Sequence, residues 1–107
     1  MKVYIVNKGC HDYSKAEEFG QLVVMSDGSF SRFATGKIFR QFIPFVQSSE
    51  PDDYLLVSGL TIMTSVAVGM FAVKHGKVNL LLHNQNPGES EVYVKRTIDF
   101  RGLESLV

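Results

Sequence analysis

The amino-acid sequence predicts the α/β fold class: one small Rossmann-like, three-layer domain over residues 1–107, with a mostly parallel four-stranded sheet and an antiparallel edge strand. The stretch from Tyr54 to His83 carries most of this prediction. It reads as an apolar run at 54–57, an apolar helix-like segment at 60–74 and a second apolar run at 78–82. Strand, helix and strand with short polar joints make a βαβ unit. Because both runs are apolar at almost every position, they suit parallel strands covered on both faces.

The composition is that of a globular protein. Of the 107 residues, 45% are hydrophobic and 21% are charged, which argues against disorder. Eleven basic and eleven acidic residues cancel, so the chain lacks the basic excess that binding duplex nucleic acid draws on. The single cysteine, Cys10, excludes an internal disulfide and is consistent with a reducing compartment.

The expected location is cytoplasmic, with no membrane contact. The apolar part of Met1–Asn7 is too short for a signal peptide and lacks a small-residue cleavage site. The longest weakly polar stretch, Leu60–Val73, is shorter than the roughly 20 apolar residues that a bilayer span needs. We therefore expect it to form a buried helix.

Hydrophobic periodicity and turn signals divide the chain into eight elements. The expected strands are Val3–Val6, Leu22–Met25, Tyr54–Val57, Lys77–Leu82 and Glu91–Ile98. A short helix capped by Asp12 or Ser14 is expected to end at Gly20, and a longer one to begin at a Thr35 cap and be disturbed by Pro44. The third helix runs from Leu60 to a stop at Gly76, and a turn covers 83–90.

Two local features allow more than one interpretation. Residues 29–33 follow an Asp-Gly turn and suit either a hairpin strand or an ordered loop, of which we favour the loop. Thr61, Ser65, Gly69 and Ala72 form a stripe of small residues at helical spacing. We favour packing of this stripe onto the sheet, and a symmetric helix–helix dimer contact is the alternative. The core between sheet and helix should contain Val57, Val66, Met70 and Leu81.

A ligand site is expected where loops leave the carboxyl ends of the strands, as in other open α/β sheets. Three loops meet this description: Asn7–Ser14, Ser26–Ser29 and Ser58–Thr61. With a sheet order of 2-1-3-4-5, the first and third are neighbours. The candidate ligand-binding residues are Asn7, His11, Asp12, Tyr13, Ser14, Ser58, Gly59 and Thr61.

The segment Ser58–Thr61 is the most suggestive of the three loops. Its glycine lets a ligand approach the backbone, and a helix start offers unpaired N–H groups to an anion. The simpler interpretation is that Ser58 or Thr61 caps a buried helix while Gly59 makes a tight turn.

No motif predicts catalysis, a metal or a cofactor. There is no Gly-x-Gly-x-x-Gly sequence, and Gly36-Lys37 lacks the other residues of a P-loop. Cys10-His11-Asp12 lacks the flanking signature of a thiol hydrolase. The histidines at 11, 75 and 83 show no metal-ligand spacing with Cys10.

Several strings of the sequence resemble small α/β proteins of unassigned activity that phages and bacterial mobile elements encode. They are Pro51–Gly59, Lys74–Leu82, Met1–Asn7 and His11–Ser14, and the resemblance covers about three-quarters of the chain. It carries over no activity and no functional residues. It implies a setting of accessory genes in which ligand-sequestering or anti-defence proteins are common.

These observations support three hypotheses for the function. The first is non-enzymatic binding of a small anionic ligand, most plausibly a nucleotide or nucleotide-derived signal. The second is a protein-interaction module that docks a host or phage partner through its edge strand or the loop holding Phe30 and Phe33. The third is a nucleotide-processing enzyme, which has the least support because no base and nucleophile can be named together. A homodimer is a further expectation, since a small sheet leaves a free edge at Glu91–Ile98.

Overall fold

A computed structural model of the chain describes residues 1–84 and 92–103. They form a five-stranded mixed sheet with helices, so the predicted α/β class is confirmed. The strands are β1 (Lys2–Ile5), β2 (Gln21–Val24), β3 (Tyr54–Leu56), β4 (Lys77–His83) and β5 (Tyr93–Asp99). The helices are a 3₁₀ helix (Ser14–Phe19), α1 (Thr35–Ser48) and α2 (Thr61–His75).

The strands follow the order β2-β1-β3-β4-β5. β1 pairs in parallel with both β2 and β3, and β3 pairs in parallel with β4. β5 runs antiparallel to β4, with His83 opposite Tyr93 and Lys77 opposite Asp99. Most of the predicted turn at 83–90, and Glu91 of the predicted edge strand, lie outside the described residues.

Each central strand sends alternate side chains to opposite faces of the sheet. Tyr4 and Leu55 are buried on the face that α1 and α2 cover. Ile5 and Leu56, one residue further along β1 and β3, are buried on the face that the 3₁₀ helix covers through Ala16. Both faces of β1 and β3 are therefore covered, which explains why these strands are apolar at successive positions.

The core prediction was wrong in its arrangement. Leu81 is fully buried, but it lies on the 3₁₀-helix face and not between the sheet and α2. Its neighbour Leu80 faces α2 instead, because the side-chain period of a strand is two. The predicted residues Val57, Val66 and Met70 are only half-buried at the margin of the α1–α2 side. The residues that α2 buries are Met63, Ala67 and Phe71.

The small-residue stripe does not pack onto the sheet. Thr61, Ser65 and Gly69 are all exposed, on the side of α2 that points away from β3 and β4. This follows from the buried positions 63, 67 and 71, which repeat every four residues and place 61, 65 and 69 on the opposite side of the helix. The favoured interpretation is therefore wrong for Thr61, Ser65 and Gly69, whereas Ala72, the fourth residue of the stripe, is half-buried.

Local signals set most element boundaries. Residues 29–33 form a loop, as favoured. α1 begins at Thr35 with Ala34 as its N-cap, so Thr35 is not the cap, and the helix continues through Pro44. The short N-terminal helix is of the 3₁₀ type, and its first N–H, from Ser14, donates to Asp12 Oδ1 at 2.9 Å. No helix among the described residues is long and apolar enough to cross a membrane.

The carboxyl ends of α1 and α2 are joined by hydrogen bonds. Lys74 Nζ donates to the carbonyl oxygens of Val46, Gln47 and Ser49 at 2.8, 2.6 and 3.0 Å. These carbonyls lie at the end of α1, where no intrahelical donor remains and positive charge is favoured. Gly76 then ends α2 in the left-handed conformation, at a φ of 75°.

His75 is held beside this junction. The Ser49 hydroxyl donates to the Val46 carbonyl oxygen at 2.6 Å, so the 2.8 Å bond between Ser49 Oγ and His75 Nε2 is donated by the imidazole. Burial, together with the neighbouring Lys74 ammonium, holds the pKa of His75 below its usual 6.5. The neutral imidazole is therefore the form that the folded chain favours.

We expect Leu81→Ala to lower the free energy of unfolding by about 2–5 kcal/mol, because the removed atoms are fully buried and leave a cavity. The control is Leu82→Ala at the next position, where the side chain is 37% exposed and the loss should be much smaller. Chemical denaturation measures both. Equal losses in the two variants would contradict the assignment of faces along β4.

We expect stability to fall as the pH drops through the range just below 6.5, the usual pKa of histidine, because the unfolded chain there binds a proton that folded His75 resists. The His75→Gln variant keeps a side-chain donor for Ser49 and has no such proton. Its unfolding free energy should fall less between about pH 7 and pH 5 than that of the wild type. Parallel curves for the two proteins would show that His75 does not contribute.

Candidate functional site

The carboxyl ends of three parallel strands meet at one edge of the sheet. β1 ends before Asn7, β3 before Ser58 and β4 at His83. Because β5 is antiparallel, its first residue, Tyr93, pairs with His83 at the same edge. A crevice of about 530 Å³ opens there. Its lining residues are Asn7, Gly9, His11, Asp12, Tyr13, Leu56, Val57, Ser58, Gly59, His83 and Tyr93.

Asn7 and Ser58 join the first two loops of the crevice through a reciprocal pair of hydrogen bonds. The Asn7 backbone N–H donates to Ser58 Oγ at 3.3 Å, and the Ser58 hydroxyl donates to the Asn7 carbonyl oxygen at 2.9 Å. The side chain of Ser58 thus takes the place of a further residue of β3 in the pairing with β1. These two bonds use its proton and one of its two lone pairs, and they hold the two loops together.

The Asn7 side chain extends this connection to the loop after β2. Asn7 Nδ2 donates to the Gly28 carbonyl oxygen at 3.0 Å, and the Ser26 hydroxyl lies 3.0 Å from Asn7 Oδ1 while donating to the Val6 carbonyl oxygen at 2.6 Å. The Lys8 N–H donates to the Ser26 carbonyl oxygen at 2.8 Å. All three predicted loops are therefore tied to one asparagine.

Gly59 makes the close contact between the loops possible. Its φ is 88°, a left-handed conformation that side chains rarely adopt. A Cβ atom at this position would lie 2.7 Å from the Cβ atom of Asn7. Glycine is therefore required here by the fold, whatever ligand the crevice takes.

The loop after β1 brings an aromatic wall to the crevice. Tyr13 is 8% exposed, and its hydroxyl accepts a hydrogen bond from the Gly9 N–H at 3.1 Å. The ring of His11 lies edge-on to Tyr13, with centroids 6.3 Å apart. Between them, the Ser14 N–H holds the pKa of the exposed Asp12 carboxyl below its usual value. The loop therefore presents rings and one ionised carboxylate together.

A second pair of rings in the crevice comes from β4 and β5. The rings of His83 and Tyr93 meet edge-on with centroids 5.7 Å apart. Tyr93 is 3% exposed, and burial, with smaller contributions from Tyr13 and Asp12, raises the pKa of its hydroxyl. The phenol is therefore protonated at neutral pH.

Six of the eight predicted site residues line this crevice: Asn7, His11, Asp12, Tyr13, Ser58 and Gly59. Ser14 lies in an adjoining groove with Lys8. Thr61 lies with Arg32 in another groove, of about 460 Å³, beyond Gly59. The crevice opens on the face of the sheet that the 3₁₀ helix covers, whereas α2 starts on the opposite face. The first turn of α2 therefore does not line the crevice.

The sequence analysis missed five lining residues: Gly9, Leu56, Val57, His83 and Tyr93. His83 and Tyr93 could have been predicted by the same argument that predicted the other lining residues. Because β4 was expected to be parallel and to end near His83, its carboxyl end belongs at the same edge. The start of an antiparallel fifth strand must lie beside it.

The described lining of the crevice is rich in aromatic and polar side chains. Among the described residues that line it, Asp12 alone is an acidic residue and none is a lysine or arginine, and Cys10, although exposed, is not part of this lining. Within residues 1–84 and 92–103, no group of three or more His, Cys, Asp or Glu side chains is placed to hold a metal ion. What the crevice offers is aromatic surface, a phenol, two imidazoles and one carboxylate.

Comparison with known proteins gives the family. The model of the phage Pam3 gp32-like protein family matches residues 1–100. The chain belongs to this family. The predicted resemblance to small phage-encoded proteins is thereby confirmed. No curated protein and no solved structure matches the chain.

In this member of the family, we expect Ser58→Ala to lower the unfolding free energy by about 1–3 kcal/mol, because the backbone groups of Asn7 lose their half-buried partner. Ser65→Ala is the matched control. The Ser65 hydroxyl donates only to the Thr61 carbonyl oxygen within an exposed helix turn, so its loss should be neutral or slightly stabilising. Denaturation curves compare the two variants. Equal stability of the Ser58 and Ser65 variants would contradict the conclusion that Ser58 positions the loops.

Proposed function

We propose that this phage protein is a Rossmann-like binder of a small nucleotide-like ligand and catalyses no reaction on it. The observation that carries the proposal is the crevice at the carboxyl edge of β1, β3 and β4, which aromatic and polar groups line. Ligands of open α/β sheets bind at this edge. A volume of about 530 Å³ is within the range of small-molecule sites.

The rings of the crevice fit the base or another flat part of the ligand. The exposed rings are those of His11 and His83, and each lies edge-on to a buried tyrosine, Tyr13 and Tyr93 respectively. A base would stack on the two exposed imidazole rings, each stacking contact contributing about 1–3 kcal/mol. The imidazoles supply hydrogen bonds to ring nitrogen and oxygen atoms.

Asp12 determines how an anionic ligand would have to lie. Its ionised carboxylate repels phosphate, but it accepts hydrogen bonds from sugar hydroxyls, as acidic residues do in dinucleotide sites. The anionic group then lies across Gly59, at the start of α2. There Met63 and Thr64 donate to the Leu60 carbonyl oxygen, while the N–H groups of Thr61 and Ile62 precede the first intrahelical bonds.

Arg32 supports this placement of the anion, because it lines the same groove as Thr61 and Ile62. A phosphate or carboxylate in that groove would meet a guanidinium, a hydroxyl and the positive end of a helix dipole. The ligand would span from the crevice to the groove by passing over Gly59, where the missing side chain leaves the backbone open.

The anti-defence setting is part of the proposal: a phage protein that sequesters a nucleotide signal needs binding groups but no catalytic ones.

A protein-interaction module is the second candidate. Phe33 is 79% exposed, and the Arg32 guanidinium carbon lies 5.0 Å from the centroid of its ring. An exposed aromatic residue with an arginine beside it is typical of interaction hot spots. In this case the 29–33 loop would contact a host or phage protein.

The test is calorimetric titration of a panel of nucleotides, including cyclic and adenosine-diphosphate-ribose-type compounds. We expect one of them to bind, and His83→Ala to weaken that binding by about 1–3 kcal/mol by removing a ring from the wall. Thr61→Ala should weaken it by about 1 kcal/mol through one lost hydrogen bond. Phe39→Ala, which removes a half-exposed ring from α1, is the matched control and should have no effect.

The titration distinguishes the two candidates. If a compound binds the wild type and the His83 variant equally well, the crevice is not its site. If nothing in the panel binds at millimolar concentration, the interaction module becomes the better proposal. Gly59→Val is unsuitable as a test, because the left-handed φ and the contact with Asn7 would disturb the fold itself.

A further inference from the structure

We propose that β5 pairs antiparallel with β5 of a second copy of the chain, so that the two sheets join across a two-fold axis at Thr97. Among the described residues, β5 pairs with β4 only, which makes it an edge strand. It runs for seven residues, and every side chain from Lys95 to Asp99 is exposed. An exposed edge strand of this length is a template for pairing with another chain. This inference does not depend on the proposed ligand.

The pairing of β5 with β4 decides which backbone groups of β5 point to the outer edge. At the two ends of this ladder, the Asn84 N–H donates to the Val92 carbonyl oxygen and the Phe100 N–H donates to the Gly76 carbonyl oxygen, both at 2.8 Å. Because the register between the strands is continuous, the even-numbered residues of β5 also direct their N–H and C=O groups toward β4. The odd-numbered residues therefore direct these groups outward, where a second strand would meet them.

The charges of β5 favour one register for self-pairing. Two copies exchange backbone hydrogen bonds when odd-numbered residues face odd-numbered residues. Near the middle of the strand, an axis at Lys95 or Arg96 places that residue opposite itself, and an axis at residue 98 places Lys95 opposite Arg101. An axis at Thr97 instead places Lys95 of each copy directly opposite Asp99 of the other. Opposite charges in directly facing positions stabilise a strand pair, whereas like charges destabilise it.

The charged groups of this register are accessible at the edge. No ion pair among the described residues includes Lys95. Asp99 holds Arg101 at 2.7 Å, but its side chain is still 49% exposed, so a second cation has access to it. The Lys95 carbonyl oxygen accepts a hydrogen bond from the exposed guanidinium of Arg96 at 2.8 Å. In the dimer, the backbone N–H of Asp99 from the other copy replaces this donor.

The same register brings apolar side chains together on the face of the ladder that carries the even-numbered residues. Val94 and Phe100 are both half-buried, and each faces the other across the axis. Ile98, which is 43% exposed, lies opposite Arg96, whose apolar stem covers it. The contact is isologous, as in a symmetric dimer, and it buries apolar surface besides pairing charges.

The first experiment is sedimentation equilibrium of the full chain at micromolar concentrations. We expect the wild type to have twice the 12.0 kDa mass of the chain. Lys95→Glu and Asp99→Lys each replace both attractive pairs with like charges, so each should weaken the dimer by more than about tenfold. An equal mixture of the two variants should dimerise again, because every pair between the unlike copies then has opposite charges. Lys15→Glu, the same charge change on an exposed residue of the 3₁₀ helix, is the control and should leave the dimer intact.

A 12.0 kDa wild type would overturn the proposal. So would single variants that dimerise as tightly as the wild type, or a mixture that stays monomeric although both variants keep the circular dichroism spectrum of the wild type. Renewed dimerisation of the mixture would support the register and would also show that both variants are folded.

Amide hydrogen exchange of the wild type locates the contact without any variant. The N–H groups of residues 95, 97 and 99 should exchange more than about tenfold faster after dilution to the monomer, because only the second copy protects them. Those of residues 94, 96 and 98 are bonded to β4 and should keep their protection. A dimer in which dilution changes neither set would have its contact elsewhere and would overturn the proposal.

Discussion

The candidate site depends on the reciprocal hydrogen bonds between Asn7 and Ser58. They close the loops after β1 and β3 at the point where the backbone pairing of the two strands ends. The contact brings Gly59 so near to Asn7 that a side chain at 59 would not fit. The Asn7 side chain then fixes the loop after β2 through Gly28. One asparagine therefore sets the positions of three loops, and the crevice follows from them.

The sequence was sufficient for the order of the elements and for the edge at which the crevice lies, because both follow from apolar periodicity and from the geometry of parallel strands. The sequence was not sufficient to predict which face of the sheet each buried side chain lies on. Leu80 and Leu81 are chemically identical neighbours, and only the position of α2 decides which of them it covers. The stripe at Thr61, Ser65 and Gly69 has the same ambiguity, since small residues suit a buried helix face and an interface equally.

The same limit explains why some of the predicted site residues line the crevice and Thr61 does not. Asn7 and Ser58 were found because each directly follows a predicted strand, and strand ends are readable from sequence. Thr61 was assigned to the crevice because it is near Ser58 in the chain. The turn at Gly59, however, carries the chain from the sheet edge to the α2 side, and Thr61 lies with Arg32 in a separate groove. Proximity in sequence to a strand end thus predicts the sheet edge, but it does not predict the face.

Gly59 separates the crevice from the helical side of the sheet. It lines the crevice, while Thr61, two residues later, begins α2 and lies with Arg32 in a separate groove. The crevice is lined by residues of the 3₁₀-helix face such as Tyr13, whereas α2 covers the other face. A ligand that used both the crevice and the groove would therefore have to cross the sheet edge at Gly59, and a ligand confined to the crevice would leave the start of α2 unused.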